Sequence, residues 1–402
     1  MIDRDLVLRA AAALIAAPSE NPPDDTRAAA EAATRLLAAI PGLAVTQHTR
    51  HEPVRNVVAV LRGARPGRRV VLSGHLDTFP AGDPARWSVP PFASTLRGDR
   101  LYGRGAADMK GGIAAAIAVM AAAAERPDFA GELVVALAGD EESMGTAGTQ
   151  FLLDTVPAVR GDVAIVPDAG SPAVIRFGEK GMVWLDLAAE GKAAHGAHVH
   201  RGENAAERLI EAVRRILALR DRAVDVPQPI RDAVAAARPV SERLGGAGEA
   251  ETLTRITANL GTLAAGISPN LVPDSATAGL DLRLPPGVCT AEVIEAARAA
   301  LADLPGVAMR VRVAWEPTVT DPAHPLFATL RRAAAAALGA EPVLNLRVGA
   351  SDARLFRLAG IPTAVFGPTP YGMGGADEYV LVPELFAVAE ALAAAVRDLL
   401  AG

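Results

Sequence analysis

Apolar residues along this chain fall into two alternating rhythms. Short unbroken runs occur at Val70-Val71-Leu72, at Leu133 to Ala138 and at Val163 to Val166. Each run stops at a small or acidic residue: Gly74 and Asp77, Gly139-Asp140, and Pro167-Asp168. Runs of this length without polar alternation predict strands buried on both faces. Between the first two lies Met109 to Glu125, alanine-rich and helical in pattern. The C-terminal part repeats the theme, with helices near Leu326 to Leu338 and Pro383 to Leu400 and strands near Val343 to Leu346 and Thr363 to Phe366. Strand–helix alternation predicts an α/β domain with a mostly parallel sheet.

The middle of the chain has a different order. Met182 to Ala189 reads as a strand, Ala205 to Leu219 as a helix, and Arg255 to Leu260 and Ala276 to Leu284 as strands. Ala291 to Leu304 follows as a helix and Val307 to Val313 as a strand. That βαββαβ order is the ferredoxin-like arrangement. It predicts an inserted domain over residues 178–315, with the larger domain built from residues 1–177 and 316–402.

Composition narrows the function without choosing it. The 402 residues suit two domains. The formal net charge is −6 and the basic residues are scattered, so no stripe tracks a phosphate backbone and a nucleic-acid partner is not expected. One cysteine, Cys289, excludes an internal disulfide and a cysteine-based zinc site. Asp3 and Asp5 lie where a secretion signal needs positive charge, so the N-terminal stretch reads as an amphipathic helix, with a cytoplasmic location expected. No run of about 18 apolar residues stands out, and no membrane span is expected.

The chemistry gathers where the predicted strands end. The first closes on SGHLDT, giving His75 and Asp77, which share a face in extended chain. The second closes on GDEES, giving Glu141 and Glu142, and the third on VPDAG, giving Asp168. GRGAADMKGG sets Asp108 just before a helix. Ligands of open parallel sheets bind beyond the carboxyl ends of the strands. Taken singly, each residue has a bland reading: a surface histidine, a solvated Glu-Glu pair, a helix cap. Gathered together, an imidazole and several carboxylates repel one another unless a cation sits among them. Histidine with aspartate and glutamate suits zinc, with cobalt or manganese as alternatives.

SGHLDT, GRGAADMKGG and GDEESMGTAG resemble the di-zinc family of aminoacylases, glutamate carboxypeptidases, acetylornithine deacetylases and desuccinylases. The resemblance runs over nearly the whole chain, through SENPP, GKAAHGAHVHRGENA and NLVPDSATAGLDLRLPPG. It implies that His75, Asp108 and Asp168 hold one zinc and that Asp108 and Glu142 hold a second. It makes Glu141 the general base, and Asp77 the carboxylate that orients His75. It makes His195 the group that polarises the scissile carbonyl, often across a dimer interface, and Asn270 and Arg283 the site for a substrate carboxylate. The reaction it implies is metal-assisted hydrolysis of an N-acyl amino acid or a C-terminal peptide bond, by a homodimer whose inserted domain acts as lid. His198 and His200, on alternate loop residues without a carboxylate beside them, read as surface histidines.

One element of the pattern is missing. Family members carry a histidine four residues before a Glu-Tyr-Val-like strand. Here PYGMGGADEYV places Gly374 at that point, ahead of Glu378, Tyr379 and Val380. Three outcomes are open: a single metal at His75, Asp108 and Asp168, a substitute ligand such as Asp377 or a shifted histidine, or hydrolysis lost or replaced by other chemistry; a working metalloenzyme is expected, since Glu141 and the other matched positions are retained. A metal-poor descendant that binds ligand without catalysis is the rival function. A serine hydrolase is a weaker rival, since GASDA at Gly349 to Ala353 lacks the final glycine of a nucleophile elbow. Gly103-Arg104-Gly105 lacks the third glycine of a dinucleotide fingerprint.

Overall fold

A computed structural model describes residues 1–401 and divides the chain into two compact units. The first comprises Met1–Phe177, Thr320–Asn345 and the chain from Ser351. The second comprises Gly178–Val319 and Leu346–Ala350. The expected boundary at Trp315 therefore moves a few residues, and a short later segment joins the inserted unit.

The first unit is built on a twisted sheet whose strands lie in the order Ala44–His48, Asn56–Arg62, Ala130–Ala138, Arg65–His75, Val163–Val166, Thr363–Val365, Val174–Glu179. Only the centre is parallel: Arg65–His75 pairs in parallel with both Ala130–Ala138 and Val163–Val166, and Thr363–Val365 with Val163–Val166. The flanking pairs are antiparallel. The sheet is thus mixed rather than mostly parallel. The apolar runs marked the parallel centre, because strands covered on both faces carry few polar residues. In the antiparallel pair Ala44–His48 and Asn56–Arg62 the first strand is half-exposed, while the second carries a buried apolar run, Val57 to Leu61, that does not reveal its direction.

The helix Gly111–Ala124 buries its first ten residues. It packs against the sheet, against Arg4–Ile15 and against Val382–Leu400, which in turn packs on Pro325–Leu338. Together with the turn before it, Ala106–Ala124 is long and apolar enough to cross a membrane, but 83% of that stretch is enclosed within the unit. It is the core helix of the domain.

The second unit carries a four-stranded antiparallel sheet in the order Thr257–Ala265, Ser275–Leu284, Gly181–Glu190, Val307–Trp315. Period-two alternation decides its faces. Val183, Leu185, Leu187 and Ala189 are buried while Asp186 and Ala188 are not, and Ala276 to Leu284 alternates likewise. The apolar face packs on Leu209, Ala212 and Ile216 of helix Ala205–Leu217 and on Val293 and Ala297 of helix Thr290–Leu301. Two further helices, Gln228–Gly245 and Glu249–Thr254, fill a stretch where no element was expected.

Lys180 shows how this unit closes a helix end. Its Nζ donates to the carbonyls of Thr252 (2.6 Å) and Arg255 (2.8 Å), satisfying orphan acceptors at the end of Glu249–Thr254. Burial pushes the ammonium down to about 7.

Candidate metal centre

Sheet register brings the acidic residues together. Leu72 pairs with Ile165 in parallel, so His75 and Asp168 each lie three residues beyond the same rung. His75 pairs with Ala138, and Glu141 follows three residues on. Asp108 arrives from a different element, the irregular turn Ala106–Lys110 ahead of the core helix. Its approach needs glycine. A Cβ at Gly112 would meet the Pro167 carbonyl oxygen at 1.8 Å, so only a bare backbone lets the helix start touch the strand end.

The outcome is two overlapping groups of side chains, each with ligand atoms within 4.8 Å of one another: His75, Asp108 and Asp168, and His75, Glu141 and Glu142. His75 Nε2 lies 2.9 Å from Asp108 Oδ1. His75, Asp108 and Asp168 are buried. Five of the six residues expected at the strand ends and the turn therefore converge in the first unit.

Asp77 lies beside His75 as expected and has further contacts. The Nδ1 of His75 is 2.9 Å from the backbone carbonyl of Asp77 and 3.5 Å from its carboxylate. The carboxylate also accepts from the backbone N–H of Glu141 (3.1 Å) and Glu142 (3.0 Å) and from Asn21 Nδ2 (3.0 Å). It fixes the turn that carries the two glutamates, while its carbonyl orients the imidazole. The part of Asn21, in the SENPP segment, was not foreseen.

Burial raises the proton affinity of the carboxyl groups in this crevice. Burial pushes Glu141 well above the usual carboxylate range, against the pull of His75. Burial pushes Glu142 up to about 8, with Asp108, Asp77 and Asp168 adding to the rise. Asp140 is pushed up to about 7, again chiefly by burial. Burial disfavours the charged form of His75, yet Asp108 and Asp77 hold the imidazole well above its ordinary value.

Two buried cations of this unit, Lys110 and Arg104, are committed elsewhere. Lys110 Nζ donates to the Ala17 carbonyl at 2.8 Å, and burial pushes it down to about 7. Arg104 is ion-paired with Glu378, both side chains being 1% exposed. Glu142 Oε1 is buried without a hydrogen-bond partner. An imidazole, several carboxylates and an orphaned carboxylate oxygen fit a divalent ion with N and O ligands.

Glu378 has a second task. Its carboxylate accepts from the backbone N–H of Ala107 (2.9 Å) and Asp108 (3.3 Å), so it holds the turn that presents Asp108. The motif GRGAADMKGG and the segment DEYV supply the two halves of this frame. The chain alone shows no link between residues so far apart in sequence.

The remaining candidates belong to the second unit. His195 and Asn270 are brought side by side: the short strand Ala194–His195 pairs with Leu271–Val272, and Gly196 N donates to the Asn270 carbonyl at 2.7 Å. His195 Nδ1 accepts from Ala197 N at 3.1 Å, which leaves its proton on Nε2 as a donor. Arg283 stands toward the far end of Ser275–Leu284, in a bidentate pair with Asp281 (2.8 and 3.0 Å), its neighbour on the same sheet face. His198 and His200 are exposed. Ser351, the nucleophile of the serine-hydrolase rival, is 1% exposed and lies outside these groups.

A family model described as Peptidase family M20/M25/M40 matches residues 71–398. The chain belongs to that family. It is 31% identical over 392 residues to a succinyl-diaminopimelate desuccinylase of Granulibacter bethesdensis, covering 94% of each chain. It is 33% identical to one from Methylobacterium sp. (strain 4-46), covering 94% of this chain and 92% of the relative. The fold matches an M20 metallo-carboxypeptidase from Sulfolobus solfataricus with a TM-score of 0.80 at 18% identity, covering 97% and 98% of the two chains. It also matches a dinuclear metal-binding M20 peptidase from Bacillus subtilis, with a TM-score of 0.66 at 14% identity over 99% and 98%. This M20 chain is thus a metal-dependent peptidase or amidohydrolase, as the strand-end carboxylates implied.

Proposed function

We propose that this M20 chain hydrolyses the amide bond of an N-acyl amino acid bearing a free carboxylate, with an N-succinylated diamino acid as the foremost substrate. The carrying observation is the convergence of His75, Asp108 and Asp168 within ligand distance of one another, with Glu141 beside them. Relatives at 31–33% identity over nearly the full chain carry the desuccinylase name, which supports the succinyl class.

A divalent ion, zinc by family resemblance, would be held by His75, Asp108 and Asp168 and would supply Lewis acidity and a lowered water pKa. Glu141 takes a proton from water and passes it to the leaving nitrogen, a role suited to a buried carboxyl whose proton affinity is raised. Asp77 anchors the Glu141 backbone, so the base is held by a side chain that is itself fully enclosed.

In the same reading His195 polarises the scissile carbonyl through its Nε2 proton, and Asn270 and Arg283 receive the substrate carboxylate. Arginine suits that task through its planar fork, which here would exchange Asp281 for substrate. A homodimer formed through the inserted unit is part of the proposal. It is supported by two free sheet edges, Thr257–Ala265 and Val307–Trp315, and by the exposed Leu263 and Ile267. A lid role for that unit rests on the family resemblance, and a cytoplasmic location on Asp3 and Asp5 where a secretion signal needs positive charge.

The test is a substrate panel of N-succinyl-diaminopimelate, N-acetyl amino acids and C-terminal dipeptides, run on zinc-loaded protein. Hydrolysis abolished by EDTA, and reduced on the order of 10³-fold by Glu141→Gln with metal content unchanged, is expected. A metal-loaded protein that cleaves none of the panel would sink the reading.

A further inference from the structure

We propose that this chain holds a single catalytic divalent ion, at His75, Asp108 and Asp168, and that the second ion of dinuclear relatives has no site here. The inference rests on the reading above that the strand-end cluster is a metal centre, and concerns how many ions that centre takes.

The second position would need Glu142, the shared Asp108 and a third ligand from the Tyr371–Glu378 loop. Gly374 stands where that ligand is expected, and nothing in the loop replaces it. Gly374 has φ +74°, a left-handed backbone, and a Cβ built there would meet only Phe79 Cδ2, at 3.8 Å. The position is therefore open, and no neighbouring side chain fills it. The backbone carbonyls are spent: Arg104 Nη2 donates to the oxygens of Gly374 (3.2 Å) and Gly375 (2.9 Å). Asp377, the nearest carboxylate in the loop, turns to Ser88, accepting from its backbone N–H at 2.7 Å.

No other histidine arrives. Among the described residues His75 is the only imidazole in either metal-capable group, and it is common to both. Asp108 is grouped with His75 and Asp168 but not with Glu142. Zinc sites take at least about three protein ligands. One complete set is present, and a second is not.

The loop is nevertheless firmly held. Arg104 and Glu378 form a buried ion pair, and Tyr371 stacks on Tyr379 with ring centroids 4.7 Å apart. Its frame is intact, and glycine stands at the position where the ligand is expected.

The test is metal stoichiometry on the full chain, by elemental analysis after loading with excess zinc and gel filtration. About one equivalent per chain is expected, and about two would overturn the inference while leaving the hydrolase reading intact. No bound metal together with no hydrolysis would overturn both. Asp168→Asn should lower bound zinc by at least about tenfold, whereas Glu142→Gln should leave it near one equivalent. Loss of the metal on Glu142→Gln would overturn the assignment of ligands. Gly374→His should add a second equivalent, since histidine is among the residues that enter left-handed backbone more readily. A correctly folded Gly374→His chain that stays at one equivalent would overturn the claim that position 374 is what the second site lacks.

Discussion

The two sides of the carboxylate crevice are held by different means. On the strand side, His75, Glu141 and Asp168 are placed by the hydrogen-bond register of three neighbouring strands. On the loop side, the backbone of Tyr371–Glu378 is placed by one buried arginine, which meets Glu378 and the carbonyls of Pro80, Gly374 and Gly375. A strand-end ligand comes with its scaffold, because register cannot shift one residue without moving every side chain to the other face. A loop ligand is separable from its scaffold. Here the loop is firmly held while glycine stands at position 374. Chemistry and shape are coupled on the strand side and separable on the loop side.

Removing the loop's anchor should do the most damage. Arg104→Leu leaves the Glu378 carboxylate buried without its cation and frees three backbone carbonyls. Stripping one partner from a buried ion pair costs about 3–4 kcal/mol, which denaturant unfolding of the full chain would register. A loss under about 1 kcal/mol would show that the loop is held by something other than Arg104, and the comparison would lose its second half.

Acid tests the crevice as a whole. In the metal-free chain burial pushes Asp140 up to about 7 and Glu142 up to about 8, from ordinary values of 3.8 and 4.5. The native state therefore binds more protons than the unfolded one above about pH 5. Stability from these groups is fully present below their unfolded values and is lost as pH rises through the folded ones. Lys110 and Lys180, both lowered to about 7, add slope only above that pH, where they act in the opposite direction. Between pH 5 and 7 the melting temperature of EDTA-stripped protein should fall as pH rises. Zinc should flatten or reverse that slope, because the ion binds the deprotonated ligands. A stripped protein that gains stability from pH 5 to 7 would show that the carboxylates are already neutralised within the chain.

How much of this was legible in the chain depends on whether the signal was local. The strand-end residues could be named because each follows its own apolar run, and convergence then follows from parallel pairing. The ferredoxin-like order of the inserted unit was legible for the same reason, since each strand shows its own alternation. The mixed sheet was not, because direction is set by partners and not by the run itself. Helices Gln228–Gly245 and Glu249–Thr254 were missed: the first carries Pro239 within it and the second is only six residues long. Arg104 with Glu378 lie 274 residues apart, and no local pattern announces such a pair. Asp77 was legible as a neighbour of His75, but its contacts to the glutamate turn were not. Its carboxylate lies nearer the glutamate turn than the imidazole, a choice made by where the strand Ala130–Ala138 ends.

That last contact gives the gentlest test of the strand side. Asp77 is fully buried, and its two oxygens accept three N–H groups from Asn21, Glu141 and Glu142. Asp77→Asn keeps the shape but leaves one oxygen for three donors, and turns an amide NH₂ toward an N–H. The imidazole's own hydrogen bond to the Asp77 carbonyl survives. The effect should therefore reach the metal only through the Glu141-Glu142 turn and the local charge, lowering zinc affinity by roughly 10- to 100-fold. A chelator competition titration measures it. Affinity unchanged within about twofold would mean that the strand ends hold their ligands without help from this carboxylate, and that register alone positions the site.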